Sequence, residues 1–438
     1  MSETELRLED FAAEVFEPLG RMDQRRCGLA YLRGLLLDGG RKSVKAMAAR
    51  LDGEMNRQAL AHFVTSSPWD PAHVLAQVSW KIKPFITTPA LVIDDAVFPK
   101  DGDASVCVAP QYTSSSRKIT NCQVGVSLSL ASDRARSTVN WRLFVPESWD
   151  PAFPAADPAR IRRRVECGVP DGVGHVEKWQ LALDMIDEVS SWNLRPSLVM
   201  ADAEYGDSAA FRQNLQMRGL RYMVGISDTM AAHPADARLY PIVHGCRPEQ
   251  LPPGGEEPIS VEKLIATVRR AVKGAAVWHQ CTPTHADERL RRQSATFAAL
   301  RVRPAGPNHE PARHTCWLLV EWPAKRSEPT RFWLSDLATG RPLHSLVELA
   351  YLRRRTKDCH REMRDDLGLT HFEGRTWRGW HHHVALVSAA HAFETLQRLA
   401  VADSLPSDSA PRQPARQSEE SAPHSHCGHH NIPTHPTT

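Results

Sequence analysis

A chain of 438 residues with 42% hydrophobic residues is long enough to bury large cores, and it holds no run of eighteen apolar residues that would span a membrane. Its formal net charge of +3 is too small to mark a nucleic-acid partner, so any DNA contact has to come from local patches. Nine cysteines scattered from Cys27 to Cys427 without a CxxC pair argue against a disulfide framework and a structural zinc site. The acidic start Met1-Ser2-Glu3-Thr4-Glu5 is unlike a signal peptide, so a cytoplasmic protein with no membrane partner is expected.

In chain order, Phe11, Val15, Phe16 and Leu19, then Leu29, Leu32, Leu35 and Leu36, recur at helical spacing, and the segment to about Trp80 reads as helical. After Gly39-Gly40, Arg41 to Leu51 predicts a helix with Ser43 as N-cap. A turn at Gly53 and a second helix around Arg57 to Val64 follow. Two short helices about a Gly turn resemble a helix-turn-helix, and equally any corner of a helical bundle. Residues 1–85 are expected to form a helical, DNA-binding region.

The period changes at Ala90. Leu91-Val92-Ile93 reads as a buried strand ending in Asp94-Asp95, and a buried carboxylate needs a partner, for which a metal would serve. Side chains alternate along a strand, so Asp94 and Asp95 face opposite ways and only one can aim at a given point. Cys122 to Leu130 alternates strictly and Val139 to Val145 nearly does, as half-buried antiparallel strands do. Val176, Trp179, Leu183, Ile186 and Val189 line one helical face. A second apolar run from Pro196 then ends in Asp202, followed by Ala203-Glu204-Tyr205-Gly206. A strand-end Asp capping the next turn explains any one of these acids, but two acid-tipped strands suggest one shared site.

A helix from Ser208 to Met217 and a strand from Tyr222 to Ile226 complete the order β-β-β-α-β-α-β. By fold analogy this is the order of a ribonuclease H-like α/β fold, whose first and fourth strands lie side by side. Beyond Ser227, a helix from Val261 to Val272 and strands over Ser294 to Val302, Thr315 to Trp322 and Thr330 to Ser335 predict a β-rich insertion. Helical patterns return from Leu346 to Met363 and from Trp377 to about Ala400. The Pro-, Ser- and His-rich remainder from Ser404 is expected to be disordered. The expected division is a helical region 1–85, a catalytic core 86–227 and 341–402, a β-rich insertion 228–340 and a disordered tail 403–438.

From about residue 20 to 400 the chain resembles the insertion sequence 701 family of DDE transposases, from bacterial mobile elements. The likeness is carried by Ile93-Asp94-Asp95 with Phe98-Pro99-Lys100, by Gln111-Tyr112 with Asn121-Cys122-Gln123-Val124, by Trp141-Arg142-Leu143, and by Ala201-Asp202-Ala203-Glu204-Tyr205-Gly206. Its most specific block runs from Leu367-Gly368-Leu369-Thr370-His371-Phe372-Glu373-Gly374-Arg375 through Thr376-Trp377-Arg378-Gly379-Trp380 to His381-His382-His383. The resemblance implies a ribonuclease H-like core and an enzyme that cuts and joins DNA through two Mg²⁺ (or Mn²⁺) ions. It also implies terminal inverted repeats and target DNA as partners, a homodimer on DNA and a place in the bacterial cytoplasm with the nucleoid. Carboxylates suit such ions because hard cations take oxygen ligands.

In the family pattern the first acid directly precedes a Thr, which implies Asp95 here, with Ala96 in the Thr position. Asp202 falls at the second acid, so both are candidate catalytic residues and metal ligands, and Asp94 would face away as a structural acceptor. The family's third acid stands four residues after an Arg. Counting back from Gly368-Leu369 puts Arg353 at the Arg, Lys357 at the acid and Arg364 at the final Lys. The register from Tyr351 instead gives Arg354, Asp358 at the acid and Asp365 at the final Lys. Asp358, Glu362, Glu373 and no replacement at all stay open as readings.

Motif position makes Arg353 and Arg364 phosphate contacts, although a solvated helix face explains such residues as well. Arg375, Trp377, Arg378 and His381 combine cation, aromatic and imidazole groups suited to a DNA end, although Trp377 equally fits a core position. Neighbouring helical residues point in different directions, so His381, His382 and His383 are not expected to share an ion. His424, His426, Cys427, His429 and His430 in the tail would scavenge zinc or nickel without a biological role. A transposase-derived protein that binds DNA without cutting it is the main alternative, and a ribonuclease H-like nuclease with no mobile element is a third.

Overall fold

The computed structural model describes residues 7–87, 90–113, 118–236, 257–271, 279–281, 295–306, 311–323 and 326–404. Side chains of 354–358 lie outside this description although their backbone is helical. The tail beyond 404, with its histidines, is outside it as well.

Five helices come first: α1 (Leu8–Val15), α2 (Met22–Leu36), α3 (Val44–Arg50), α4 (Arg57–Thr65) and α5 (Pro71–Ile82). Their starts are written in the chain. Ser43, Asn56 and Asp70 each accept a hydrogen bond from a first-turn amide of α3, α4 and α5, and Pro71 opens α5 where its missing N–H costs nothing. All but α3 pack on α12 (Trp377–Ser404), and α3 packs on α2 and α4. Val384 to Val387, Ala389, Ala390 and Ala392 of α12 are buried. A helix apolar on every side is a central one. α12 also packs on strand β4, so the amino-terminal helices and the sheet share one core.

The strands are β1 (Ala90–Pro99), β2 (Ala109–Thr113), β3 (Lys118–Ala131), β4 (Arg136–Leu143), β5 (Leu198–Ala201), β6 (Arg221–Ile226), β7 (Ala231–Pro234), β8 (Ile259–Ser260), β9 (His279–Cys281), β10 (Ala295–Pro304), β11 (Cys316–Pro323) and β12 (Arg331–Ser335). They form one mixed sheet in the order β2-β3-β1-β5-β6-β12-β11-β10-β7-β8, with β4 on β3 and β9 on β10. The sequence pattern predicts three strands before the first long helix and the structure has four. The extra one, β2, is five residues long and carries Pro110, which suits an edge strand and masks the pattern.

Helices α6 (Pro158–Glu166) and α7 (Lys178–Ser191) link β4 to β5, and the four-residue α8 (Ala203–Gly206) and α9 (Ala209–Met217) link β5 to β6. Strands β10, β11 and β12, expected as an insertion, extend the same sheet: β12 pairs β6, with Ser335 opposite Met223. α10 (Val261–Ala271) packs on β7 and β8. The last two helices are α11 (Leu343–Asp365) and α12.

Two arrangements position the site. β1 runs parallel to β5, with Ala90, Leu91 and Val92 opposite Leu198, Val199 and Met200. One face of these strands, carrying Ala90, Val92 and Met200, packs under Leu346, Val347, Ala350 and Tyr351 of α11; Leu91, Ile93 and Val199 belong to the core on the other side.

Candidate functional site

Alternation carries each face of β1 one step further. Asp94 follows Ala90 and Val92 toward α11, while Asp95 follows Leu91 and Ile93. The constant offset between β1 and β5, continued two residues beyond Val92 and Met200, sets Asp94 level with Asp202. The two carboxylates meet at one cation: Nη2 of Arg353, on α11, lies 3.0 Å from Oδ1 of Asp94 and 3.0 Å from Oδ2 of Asp202.

Asp202 also performs the plain task of a strand-end Asp. Its Oδ1 accepts the amide of Glu204 at 3.2 Å and so caps α8. The loop behind it is tight, since a Cβ on Gly206 would lie 1.8 Å from the carbonyl oxygen of Gly225 in β6. Asp94 is buried beneath α11, with His360 Nδ1 3.8 Å from its Oδ2. His360 Nε2 is 2.9 Å from the Ser127 hydroxyl, and burial pushes the imidazole below its ordinary range, so it is neutral at pH 7.

Asp95 has a different set of partners. The Tyr205 hydroxyl donates to its Oδ1 at 2.5 Å and the Lys178 ammonium to its Oδ2 at 2.7 Å; Lys178 also reaches Glu204 at 2.5 Å. Burial raises the Asp95 carboxyl to about 6, against the opposing pull of Lys178 and the Tyr205 hydroxyl. This cluster clamps α7 and α8 to β1. Sequence reasoning did not single out Lys178, which sits in an ordinary amphipathic stretch. The signal that Asp94 rather than Asp95 matches Asp202 is present in the chain: each directly follows a four-residue strand segment, Ala90 to Ile93 and Leu198 to Ala201.

The third-acid candidates fall in several places. Glu362 is bound to Arg136 at 3.2 Å, His391 at 3.1 Å and Arg398 at 3.2 Å, which holds its carboxyl down at about 2. Glu373 is exposed and pairs with Arg41. Asp358 and Lys357 belong to α11, but their side chains are outside the described residues. By helical register, position 357 lies on the same face as Arg353 and His360, and position 358 about 100° further round.

Among the proposed DNA contacts, Arg364 is exposed beside Asp365 and Arg375 is exposed in the loop before α12. Trp377 is half-buried against the core; Arg378 donates to the carbonyl of Ser66, after α4, at 3.1 Å. His381 Nδ1 donates to the Trp377 carbonyl at 2.9 Å, and burial lowers its imidazole to about 3. His382 faces the carbonyls of Val64 and Trp69, and His383 lies 3.0 Å from the Tyr31 hydroxyl, so the histidine run docks helices.

A two-metal centre needs enough carboxylate oxygen to clamp ions roughly 3.5–4 Å apart. Among the described residues no three His, Cys, Asp or Glu side chains converge as a metal site. The two carboxylates that do converge, Asp94 and Asp202, share a guanidinium. As they stand, these residues do not fit a pair of metal ions. Among the described residues no helix is long and apolar enough to cross a membrane.

A family model described as DDE superfamily endonuclease matches residues 14–293. Members of this family generally use divalent metal ions. The chain is also 28% identical over 201 residues to a protein from Microchaete diplosiphon described as "Probable transposase for insertion sequence element IS701". That match covers 44% of this chain and 46% of the relative, so the chain spans about half the length of the curated relative it matches. With more than half of its residues matched by the family model, the chain belongs to the DDE superfamily endonuclease family.

Proposed function

We propose that this protein is the transposase of an insertion sequence, acting on DNA at the element's terminal inverted repeats, with Asp94 and Asp202 as the first two acids of its reaction centre. The observation that carries this reading is the meeting of Asp94 and Asp202 under one helix, at neighbouring parallel strand ends. The parallel β1–β5 pair, with β3 antiparallel on its other side, supports a ribonuclease H-like arrangement. Asp95, favoured by its position before the family's Thr, is occupied by Lys178 and Tyr205 and is read here as the clamp that holds β1 to α7 and α8.

A second reading is supported by one observation: position 357, the family's acid, is a lysine on the helix that covers Asp94. An ammonium there adds a positive charge where an acid belongs, so Mg²⁺ or Mn²⁺ would be held poorly and the protein would bind ends while cutting them weakly or not at all.

The test is binding and cleavage of the element's ends by the purified full chain with Mg²⁺ or Mn²⁺. Specific end binding is expected to survive in Asp94→Asn/Asp202→Asn, because phosphate contacts by Arg and Lys supply most of the affinity. Binding to ends no tighter than to unrelated DNA would overturn the proposal.

A further inference from the structure

Arg353 is placed as a cation would be. One nitrogen serves both Asp94 and Asp202, the Arg353 side chain is only 14% exposed, and its Nε is buried without a hydrogen-bond partner among the described residues. A guanidinium normally spreads five N–H donors over its partners. This one is held chiefly by charge, between two carboxylates that need a counter-ion.

Beside it opens a cleft of about 260 Å³, lined by Asp202, Arg353, Arg331, Thr330 and Tyr351 among others. Arg331 is anchored at 3.1 Å by the buried Glu321, which also accepts from the Tyr351 hydroxyl at 3.1 Å. The cleft therefore presents two guanidinium groups and a hydroxyl threonine at its wall, with Asp202 at its edge. This lining suits an anion that offers several acceptor oxygens, and a phosphate diester is such a group.

We propose that Arg353 is a built-in counter-ion that exchanges partners. With the cleft free it neutralises Asp94 and Asp202 and keeps divalent cations away from them; when a phosphate diester enters the cleft, Arg353 turns to it and frees the carboxylates for a cation. A guanidinium and a divalent ion repel when both sit against the same carboxylates, so neither binds the pair well in the other's presence. Moving Arg353 onto phosphate removes that repulsion. By linkage the anion and the cation then tighten each other's binding by the same factor.

This inference rests on Asp94 and Asp202 as the reaction centre, and its test separates the two claims. Mn²⁺ is titrated calorimetrically into the full chain with and without a tetrathymidylate, with the oligonucleotide alone as the reference titration. Wild type is expected to take up no Mn²⁺ at the pair by itself and to bind it at least about tenfold more tightly with the oligonucleotide present, within the usual range of coupling between sites. Arg353→Gln is expected to bind Mn²⁺ without the oligonucleotide, to lose the oligonucleotide's effect, and to lose the Mn²⁺ again when Asp94→Asn is added.

Equal Mn²⁺ binding by wild type with and without tetrathymidylate overturns the exchange, even if Asp94 proves to be a ligand. Mn²⁺ binding to Arg353→Gln that survives Asp94→Asn overturns the centre itself. Should Arg353→Gln fail to fold, the two wild-type titrations decide the exchange alone.

Discussion

Asp94 stands level with Asp202 across two parallel strands, and a single nitrogen of Arg353 lies 3.0 Å from an oxygen of each. Asp95, its neighbour in sequence, faces the other way and is held by Lys178 and Tyr205. Adjacent carboxylates on one strand thus serve different ends, one facing the helix that carries the family's third acid and one fastening the scaffold.

The fastening predicts a stability effect. Asp95 and Lys178 are 15% and 17% exposed, so Lys178→Met leaves a buried carboxylate without its cation. The expected cost is roughly 3 kcal/mol in denaturant unfolding, as for other buried pairs broken from one side. Adding Asp95→Asn should recover part of it, because the stranded charge is then gone. A single variant as stable as wild type would show that Lys178 does not support the strand.

Much of this was legible in the chain. Ser43 caps α3, Asp202 closes an apolar strand, and α9, α10 and β10 to β12 lie within a residue or two of their predicted places, because caps and periodicity are local. The choice between Asp94 and Asp95 was not settled by periodicity. Alternation says only that the two face apart, and which face meets α11 depends on the β1–β5 register and on a helix some 250 residues later. Lys178 stayed hidden for the same reason: nothing local to α7 says that its first residue reaches β1. The continuation of the sheet from β6 into β12 is likewise a long-range pairing, with no trace in either strand's own pattern.

A pH dependence follows from Glu362 and His391, which join α11 to α12 at 3.1 Å. Glu362 is held at about 2, below its ordinary 4.5, chiefly by the hydrogen bond from His391, so its contribution is present above pH 4.5 and lost as pH falls toward 2. His391 is raised to about 9 from 6.5: burial opposes its charge, but Cys359 and Glu362 favour it more strongly. Its contribution is complete below pH 6.5 and lost as pH rises through 9. The pair therefore supports the fold most between pH 4.5 and 6.5. The melting-temperature gap between wild type and His391→Gln should be widest there and close toward pH 9; a gap that grows with pH over that range contradicts the assignment.

Gly368 offers a packing test. Its φ is +67°, and a Cβ there would lie 2.5 Å from Cβ of Lys42 and 2.7 Å from Nδ1 of His371. Gly368→Ala meets both an unfavourable backbone conformation and a clash, so a loss of more than about 1 kcal/mol is expected in equilibrium unfolding. An unchanged midpoint would mean that the turn between α11 and α12 adapts freely.

The central claim is that Asp94 and Asp202, not Asp95, are the reacting pair, and that Lys357 stands where the third acid belongs. Its most direct test is Mn²⁺-dependent cleavage of the element's ends by Lys357→Glu, alone and with either Asp94→Asn or Asp95→Asn added, at protein levels corrected for folded fraction. Lys357→Glu should cut more than the unmodified chain, Asp94→Asn should abolish the cutting, and Asp95→Asn should leave most of it. Cutting that vanishes with Asp95→Asn and persists with Asp94→Asn, or no gain of cutting from Lys357→Glu, would contradict the account.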